Sequence, residues 1–292
     1  MKTTGGWIMK RLAPFAVMIL LVMFGCGGGK KETAADQEFR IPDSLLSPLD
    51  GYKLTKDDYH PVRGGIMETR ELVLHYPASP VSRYVAVETM GKAIDAYRLI
   101  REEIGPPSDE RVVMIGAADL EEYRFLTRKE WWYYGVVRGD TIYFEPLDIL
   151  LKRTLLKMAV TQKMAQMALD RRSGGRIPLW MKEGIASRLA EEWPVLKEQR
   201  DEFAVDGVYD LAPSPERVEE ALEAAEDRPL TRIAFYCSYV MVDRLVTEFG
   251  MERILSFIDL LAEGRGYDEA SAEAFGVDYA SLLEMVRLKG EG

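Results

Sequence analysis

Histidine and cysteine, the side chains best suited to metal and nucleophile chemistry, are scarce in this chain of 292 residues. They are limited to His60, His75, Cys26 and Cys237. The two histidines lack the His-x-x-x-His spacing that places two imidazoles on one face of a helix. Cys237 lies in the apolar run IAFYCSYVMV, which is typical of a buried small hydrophobe rather than a nucleophile. A Cys–His catalytic pair stays open on spacing alone, and we predict no metal and no cofactor.

A second set of polar side chains lies in the stretch 150–189, which is otherwise strongly apolar. Gln162, Lys163 and Gln166 occur in KMAVTQKMAQMALD, and Glu183 follows in IPLWMKEGIA. Positions i and i+4 of a helix face the same way, so the two glutamine amides should lie side by side. From composition alone, ordinary solvent-facing residues on a helix are the simplest interpretation of this set.

Two helices must position these side chains. Leu150–Asp170 is apolar almost all round, which predicts a helix buried on most faces. Ser173-Gly174-Gly175 should end this helix, and Pro178 should begin the next one at a favourable first-turn position. Trp193-Pro194 is expected to end that second helix.

The remaining elements follow an α+β order, because the predicted strands precede Pro146 and the predicted helices dominate after it. We expect a mixed N-terminal sheet with helices, followed by a mainly helical C-terminal half. The predicted strands are Glu71–Tyr76, Arg111–Gly116 and a hairpin of Tyr134–Val137 with Asp140–Phe144. The predicted helices outside the central pair are Ser82–Ile104, Leu120–Phe125, Glu216–Ala225, Thr231–Phe249, Met251–Ala262, Tyr267–Phe275 and Tyr279–Leu288.

The N-terminal segment predicts export. Lys10-Arg11 precedes an apolar run, Leu12–Phe24, that is too short for a comfortable membrane span. A small residue and Cys26 follow, so the segment resembles a bacterial lipoprotein signal whose cleavage leaves Cys26 as a lipidated N-terminus. An uncleaved anchor is the alternative, and both interpretations tether the chain to a membrane in the cell envelope. We expect a signal peptide at 1–25, a tether at 26–65 and one domain at 66–290, divided into 66–149 and 150–290.

The formal net charge of −10 argues against a general nucleic-acid binder, because phosphate contacts need a basic face.

From about Glu71 to Arg287 the sequence resembles the gluzincin, or peptidase MA-like, family of zinc peptidases. SGGRIPLWMKEGIA is similar to the family's P-x-W-x-x-E-G-x-A segment, and RIAFYCSYVMVDRLVTEFG resembles its downstream helix. LAEGRGYDEASAEAFGVD resembles the segment after that helix, and DTIYF stands where the family has its active-site edge strand. The resemblance implies a thermolysin-like catalytic subdomain.

In that family the first helix carries His-Glu-x-x-His and the second a glutamate as third zinc ligand. The resemblance aligns the first motif with Gln162-Lys163-x-x-Gln166 and the third ligand with Glu183. Both histidines and the general base are therefore replaced, which implies no zinc and no zinc-dependent peptidase activity. The amides are expected to donate to the Glu183 carboxylate, and Lys163 to pair with it or with a nearby acid. The residues expected to line a retained cleft are Thr141, Tyr143, Trp180 and Tyr236.

Three functions remain open at this point. The first is a binding or scaffolding module, in which Thr141–Phe144 pairs with an extended peptide or an envelope protein. The second is an active hydrolase of the same fold that uses non-standard residues such as Glu183 with Tyr236, although a lone carboxylate lacks an electrophile and a partner. The third is a purely structural envelope lipoprotein.

Overall fold

A computed structural model of the chain describes residues 64–77, 80–204, 210, 213–225 and 227–288. The predicted signal peptide, the lipidation residue Cys26 and most of the predicted tether lie outside these residues. No helix within the described ranges is long and apolar enough to cross a membrane.

The fold is α+β, as predicted, with a mixed five-stranded sheet in the N-terminal part. The strands are β1 (Gly64–Glu68), β2 (Leu72–Pro77), β3 (Val112–Gly116), β4 (Gly135–Arg138) and β5 (Thr141–Phe144), in the order β1-β2-β3-β5-β4. The three central strands are parallel, and β1 and β4 pair antiparallel at the two edges.

Helices connect the strands and make up the C-terminal half. Between the strands lie α1 (Pro80–Glu103), α2 (Leu120–Thr127) and a short 3₁₀ turn at Trp131–Tyr133. After β5 come α3 (Leu147–Lys152), α4 (Leu156–Ser173), α5 (Leu179–Leu189), α6 (Trp193–Ala204), α7 (Pro215–Ala224), α8 (Arg228–Phe249), α9 (Met251–Ala262), α10 (Tyr267–Phe275) and α11 (Tyr279–Val286). The predicted bounds of α9 and α10 are confirmed. Each helix ends where it does because a glycine follows within two residues and stops it.

Helix α4 is the centre of the structure. It packs against α1, α5, α9 and β4, and its side chains are buried almost without interruption from Leu156 to Leu169. Gly174 ends it in the left-handed conformation, with φ of 61°, and the next residue also has positive φ. Gly184 lets α5 approach α8 backbone to backbone, because a Cβ atom there would overlap the carbonyl group of Ser238.

Three predictions about the order or the ends of elements were wrong. The strand predicted as the first is the second, since β1 begins at a glycine pair, which is a weak strand signal. The helix predicted from Leu150 is broken into α3 and α4 at Thr154, which has a φ of 58°. Trp193-Pro194 begins α6 rather than ending α5, because proline is tolerated in the first turn of a helix.

The predicted role of Thr141–Phe144 as an edge strand was also wrong. Strand β5 pairs in parallel with β3 and antiparallel with β4, so both of its edges are occupied. The hairpin was predicted, but its sequence does not say which arm joins the rest of the sheet. The fully buried TIYF arm lies inside, and the half-buried GVVR arm, β4, takes the edge.

Candidate functional site

Helices α4 and α5 bring the four predicted polar residues into one buried region. The side chains of Gln162, Lys163, Gln166 and Glu183 are each between 1% and 8% exposed. The Gln166 amide Nε2 donates to the Glu183 carboxylate at 2.5 Å. This bond between Gln166 of α4 and Glu183 of α5 is one of the two amide–carboxylate bonds that were predicted.

Gln162 bonds to a different carboxylate from the expected one. Its Nε2 donates to Glu192 Oε2 at 2.8 Å and lies 3.3 Å from Ser187 Oγ. Ser187 Oγ donates to the same carboxylate oxygen at 2.6 Å. The other oxygen, Oε1, accepts from Arg232 Nη2 at 2.8 Å. Glu192 is therefore the acceptor at the centre of a buried network.

The Glu192–Arg232 ion pair is enclosed by protein on all sides, with side chains 0% and 1% exposed. The guanidinium also donates through Nε to Gln199 Oε1 at 2.5 Å and lies 5.3 Å from the ring centre of Tyr134. Burying a charge is costly unless it is paired and hydrogen-bonded, and these contacts meet both conditions.

A turn after α5 folds Glu192 back into the protein. Glu191 adopts the left-handed conformation with φ of 56°, although it is not glycine. The N–H of Glu192 then donates to the carbonyl of Ser187 at 3.0 Å, and the N–H of Glu191 to that of Arg188 at 3.1 Å. This pair of bonds is a Schellman motif, which directs the chain inward at the end of the helix.

Lys163 is a buried lysine, and its predicted pairing with Glu183 or a nearby acid was wrong, because its side chain makes no direct ion pair in the described part of the chain. Burial lowers its pKa, against the attraction of the Glu183 and Glu192 carboxylates. Burial likewise raises the pKa of Glu183, against Lys163, Lys182 and the Gln166 hydrogen bond. The stem of Lys163 packs beside β4, where a Cβ atom on Gly135 would lie 3.3 Å from its Cγ.

These residues do not fit a zinc ion. Zinc takes thiolate, imidazole or carboxylate ligands, and this region offers two amides, the side chain of Lys163 and isolated carboxylates. Both amides direct N–H groups at carboxylate oxygens, which fixes their orientation as donors. Within the described ranges, no group of three or more His, Cys, Asp or Glu side chains could hold a metal ion.

Glu192, Arg232 and Ser187 also belong to this region, and none of the three was predicted. One signal pointed to Arg232, because a single charge at the start of the apolar run RIAFYCSYVMV must find a partner if that helix is buried. No comparable signal marked Glu192, since a non-glycine residue makes the turn that buries it.

The four predicted cleft residues do not form one groove. Thr141 and Tyr143 are buried within β5, and Tyr143 packs in a small cluster with Ile115 and Leu126. Trp180 is 1% exposed and its Nε1 donates to Tyr279 Oη at 3.3 Å. Tyr236 is half-buried and stacks on Trp193, with ring centres 5.4 Å apart. Each therefore has a different set of neighbours.

Glu145, directly after β5, is a third buried carboxyl group, besides Glu183 and Glu192. Its Oε1 lies 3.5 Å from Arg153, and its Oε2 is buried without a hydrogen-bond partner among the described residues. Burial raises the pKa of Glu145 to about 7, and Arg153 opposes the shift.

This carboxyl group should make the stability of the protein pH-dependent. Its pKa is higher in the folded chain than its ordinary value of 4.5, so between pH 4.5 and about 7 the folded state keeps a proton that the unfolded state releases. Its contribution to the free energy of unfolding therefore falls as pH rises through that window and levels off above it.

We expect Glu145→Gln to remove this dependence, so that the variant gains on the order of 2 kcal/mol relative to wild type between pH 5 and pH 8. Urea unfolding at both pH values measures the gain. Glu68→Gln, at an exposed sheet position, is the control and should follow the wild-type profile. Parallel pH profiles for Glu145→Gln and wild type would contradict the assignment.

Comparison of the sequence with protein-family models gives no match, and comparison with curated proteins gives none either.

Proposed function

We propose that this chain is a membrane-anchored envelope lipoprotein with a catalytically inactive peptidase MA-like domain that binds or scaffolds a partner. The hydrogen bond from Gln166 to Glu183 at 2.5 Å carries the proposal. The carboxylate at the third-ligand position already has an amide donor, and the position of the general base holds Lys163 in place of a carboxylate. The described residues of this region thus form polar cross-links and offer no electrophile.

The anchoring part of the proposal rests on the sequence. Lys10-Arg11, the apolar run after it and Gly25-Cys26 have the order of a lipoprotein signal. A lipid on Cys26 would hold the domain at a membrane surface on the outer side of the cytoplasmic membrane. The long segment between Cys26 and β1 would give the domain room to reach a partner.

Strand β4, rather than β5, is the edge that supports binding. In the described part of the chain, β4 pairs with β5 alone and is therefore an edge strand, the kind of strand to which an extended peptide can add. A cavity of about 310 Å³ lies beside Val137, between the β4–β5 turn and the end of α4. An extended peptide or a segment of an envelope protein could pair with β4 and place side chains in this cavity.

A peptide-library assay on the purified full-length chain tests the absence of catalysis and the presence of binding together. We expect no cleavage above background by wild type or by Glu183→Gln, and retention of library peptides by both proteins. Cleavage by wild type that is lost in Glu183→Gln would contradict the proposal and support a hydrolase with non-standard residues. Failure of any extended peptide or envelope protein to bind would leave a purely structural lipoprotein.

A further inference from the structure

The start of the edge strand β4 is held by the backbone of Glu145. The N–H of Glu145 donates to the carbonyl of Tyr134 at 3.2 Å, which extends the β4–β5 ladder by one pair beyond Gly135 and Phe144. Strand β4 has four residues and pairs with β5 alone in the described part of the chain. In so short a ladder, the loss of one pair removes a large part of the pairing that keeps the strand in place.

Two non-glycine residues beside Glu145 adopt the left-handed conformation. Tyr134, which accepts the bond from Glu145, has a φ of 59°, and Thr154, which follows Arg153, has a φ of 58°. Left-handed residues other than glycine are strained and persist only where the surrounding contacts hold them. One residue is bonded to Glu145 and the other adjoins its ion-pair partner, so the contacts of Glu145 help to maintain both.

The carboxyl group of Glu145 is poorly compensated for a buried acid. Its Oε1 lies 3.5 Å from Arg153 Nη1, which is longer than an ordinary N–H···O bond. Its Oε2 is buried and has no hydrogen-bond partner among the described residues, and the same holds for the hydroxyl of Tyr123 on α2. The Glu145 carboxylate adds to the burial that raises the pKa of Tyr123. Ionisation of Glu145 would therefore bury a charge whose contacts do not offset its loss of hydration.

The other cations near this carboxyl group are engaged elsewhere. Arg138 of β4 donates to two carbonyls at the end of α2. Arg232 of α8 lies over the ring of Tyr134, 5.3 Å from its centre, and belongs to the buried network described above. Arg153 lies over the same ring at 5.8 Å. Arg153 is thus the one cation that contacts Glu145 among the described residues.

We propose that Glu145 is a pH-sensitive switch that controls local opening of the edge strand β4. While the carboxyl group holds its proton, it stays buried and its N–H keeps the bond to Tyr134. Once ionised, it gains hydration by moving into water, and that movement breaks the bond and lets Tyr134 and Thr154 leave their strained conformations.

The direction of the switch follows from proton binding. Burial raises the pKa of Glu145 to about 7 in the closed state, while in the open state the group is hydrated and returns towards its ordinary value of 4.5. The closed state therefore binds the proton more tightly, so acidic pH favours it. That advantage falls as pH rises from 4.5 to about 7 and levels off above.

Strand β4 is the edge proposed above to accept an extended peptide. If that proposed function holds, peptide binding should be stronger at pH 5 than at pH 8, because the closed strand is the one that can pair. The switch itself needs no peptide. A test on the free protein therefore decides it separately from the proposed function.

Hydrogen–deuterium exchange of the full-length chain in detergent, corrected for the intrinsic exchange rate at each pH, tests the switch. We expect the protection of β4 to fall about tenfold or more between pH 5 and pH 8. It should stay below the protection of the buried helix α4 at both pH values, which identifies a local opening. Protection of α11, which packs on α8 and α10, should not change over this range.

Two variants and a control assign the effect to the carboxyl group. In Glu145→Gln the protection of β4 should be independent of pH and close to that of wild type at pH 5, because an amide does not ionise. Arg153→Gln should move the midpoint of the change to higher pH, since Arg153 favours the ionised form of Glu145. Glu68→Gln changes an exposed carboxylate on β1 and should follow wild type.

Three results would overturn the proposal. The first is protection of β4 that does not depend on pH in wild type, and the second is an equal fall in Glu145→Gln. The third is exchange of β4 only at the rate of α4, because β4 would then open through global unfolding. Circular dichroism shows whether each variant is folded. If Glu145→Gln does not fold, an unchanged midpoint in Arg153→Gln overturns the proposal in its place.

Discussion

Glu192→Ala should lower the free energy of unfolding by about 3 to 5 kcal/mol, because it leaves the Arg232 guanidinium buried without its counter-ion. The carboxylate accepts hydrogen bonds from Arg232, Gln162 and Ser187, all of which are within the core. Three donors would lose their acceptor in one substitution. Urea unfolding followed by circular dichroism measures the loss.

The neighbouring residue provides a matched control for this experiment. Glu191 pairs with Lys157 at 2.8 Å, but both side chains are more than half exposed. An exposed pair contributes about 1 kcal/mol or less, so Glu191→Ala should have a small effect. The double variant Glu192→Leu/Arg232→Met, which removes both charges, should be more stable than Glu192→Ala alone. Similar losses from Glu191→Ala and Glu192→Ala would contradict the buried network.

Gly184→Ala should be the second most damaging single change, with an expected cost of about 3 kcal/mol, at the upper end of the range for overpacking. The added Cβ would overlap the carbonyl group of Ser238 and would lie 2.6 Å from Val242 Cγ2. A backbone carbonyl cannot rotate away as a side chain can, so α5 and α8 would have to separate. The separation would also strain the ion pair between Glu192 and Arg232.

The control for this change is Gly91→Ala in the middle of α1. Gly91 is exposed, and a Cβ atom there would meet nothing within 4 Å. Alanine is the better helix former, so this variant should gain about 0.5 to 1 kcal/mol. Thermal unfolding of the two variants should therefore shift in opposite directions. A neutral Gly184→Ala would contradict the close approach of the two helices.

Local signals in the sequence predicted the fold class and most helix ends. Gly250, Gly264 and Gly276 follow their helices and have positive φ, so the stops were visible as residues. Where a non-glycine residue takes the same conformation, as Thr154 does between α3 and α4, no residue type marked the break. The choice of edge strand depended on long-range pairing with β3, which no local pattern encodes.

The candidate site was predictable where it depended on local spacing, and was not predictable where it depended on a turn without glycine. The spacing of Gln162 and Gln166 on one helix placed both amides on one face, and the bond from Gln166 to Glu183 followed from packing α4 on α5. The partner of Gln162 depended on the left-handed turn at Glu191. No glycine marks that turn, so the sequence did not predict it. Hydrogen bonding in a core depends on such turns as much as on the residues that form the bonds.

The zinc content of the purified full-length chain, measured by elemental analysis after incubation with zinc and removal of the excess, tests the central claim most directly. The claim is that polar cross-links stand where a zinc peptidase would hold its metal. It predicts zinc at the level of the buffer alone, in wild type and in Glu183→Ala alike, with the variant melting at a lower temperature. One zinc ion bound per wild-type chain, and lost in Glu183→Ala, would contradict it.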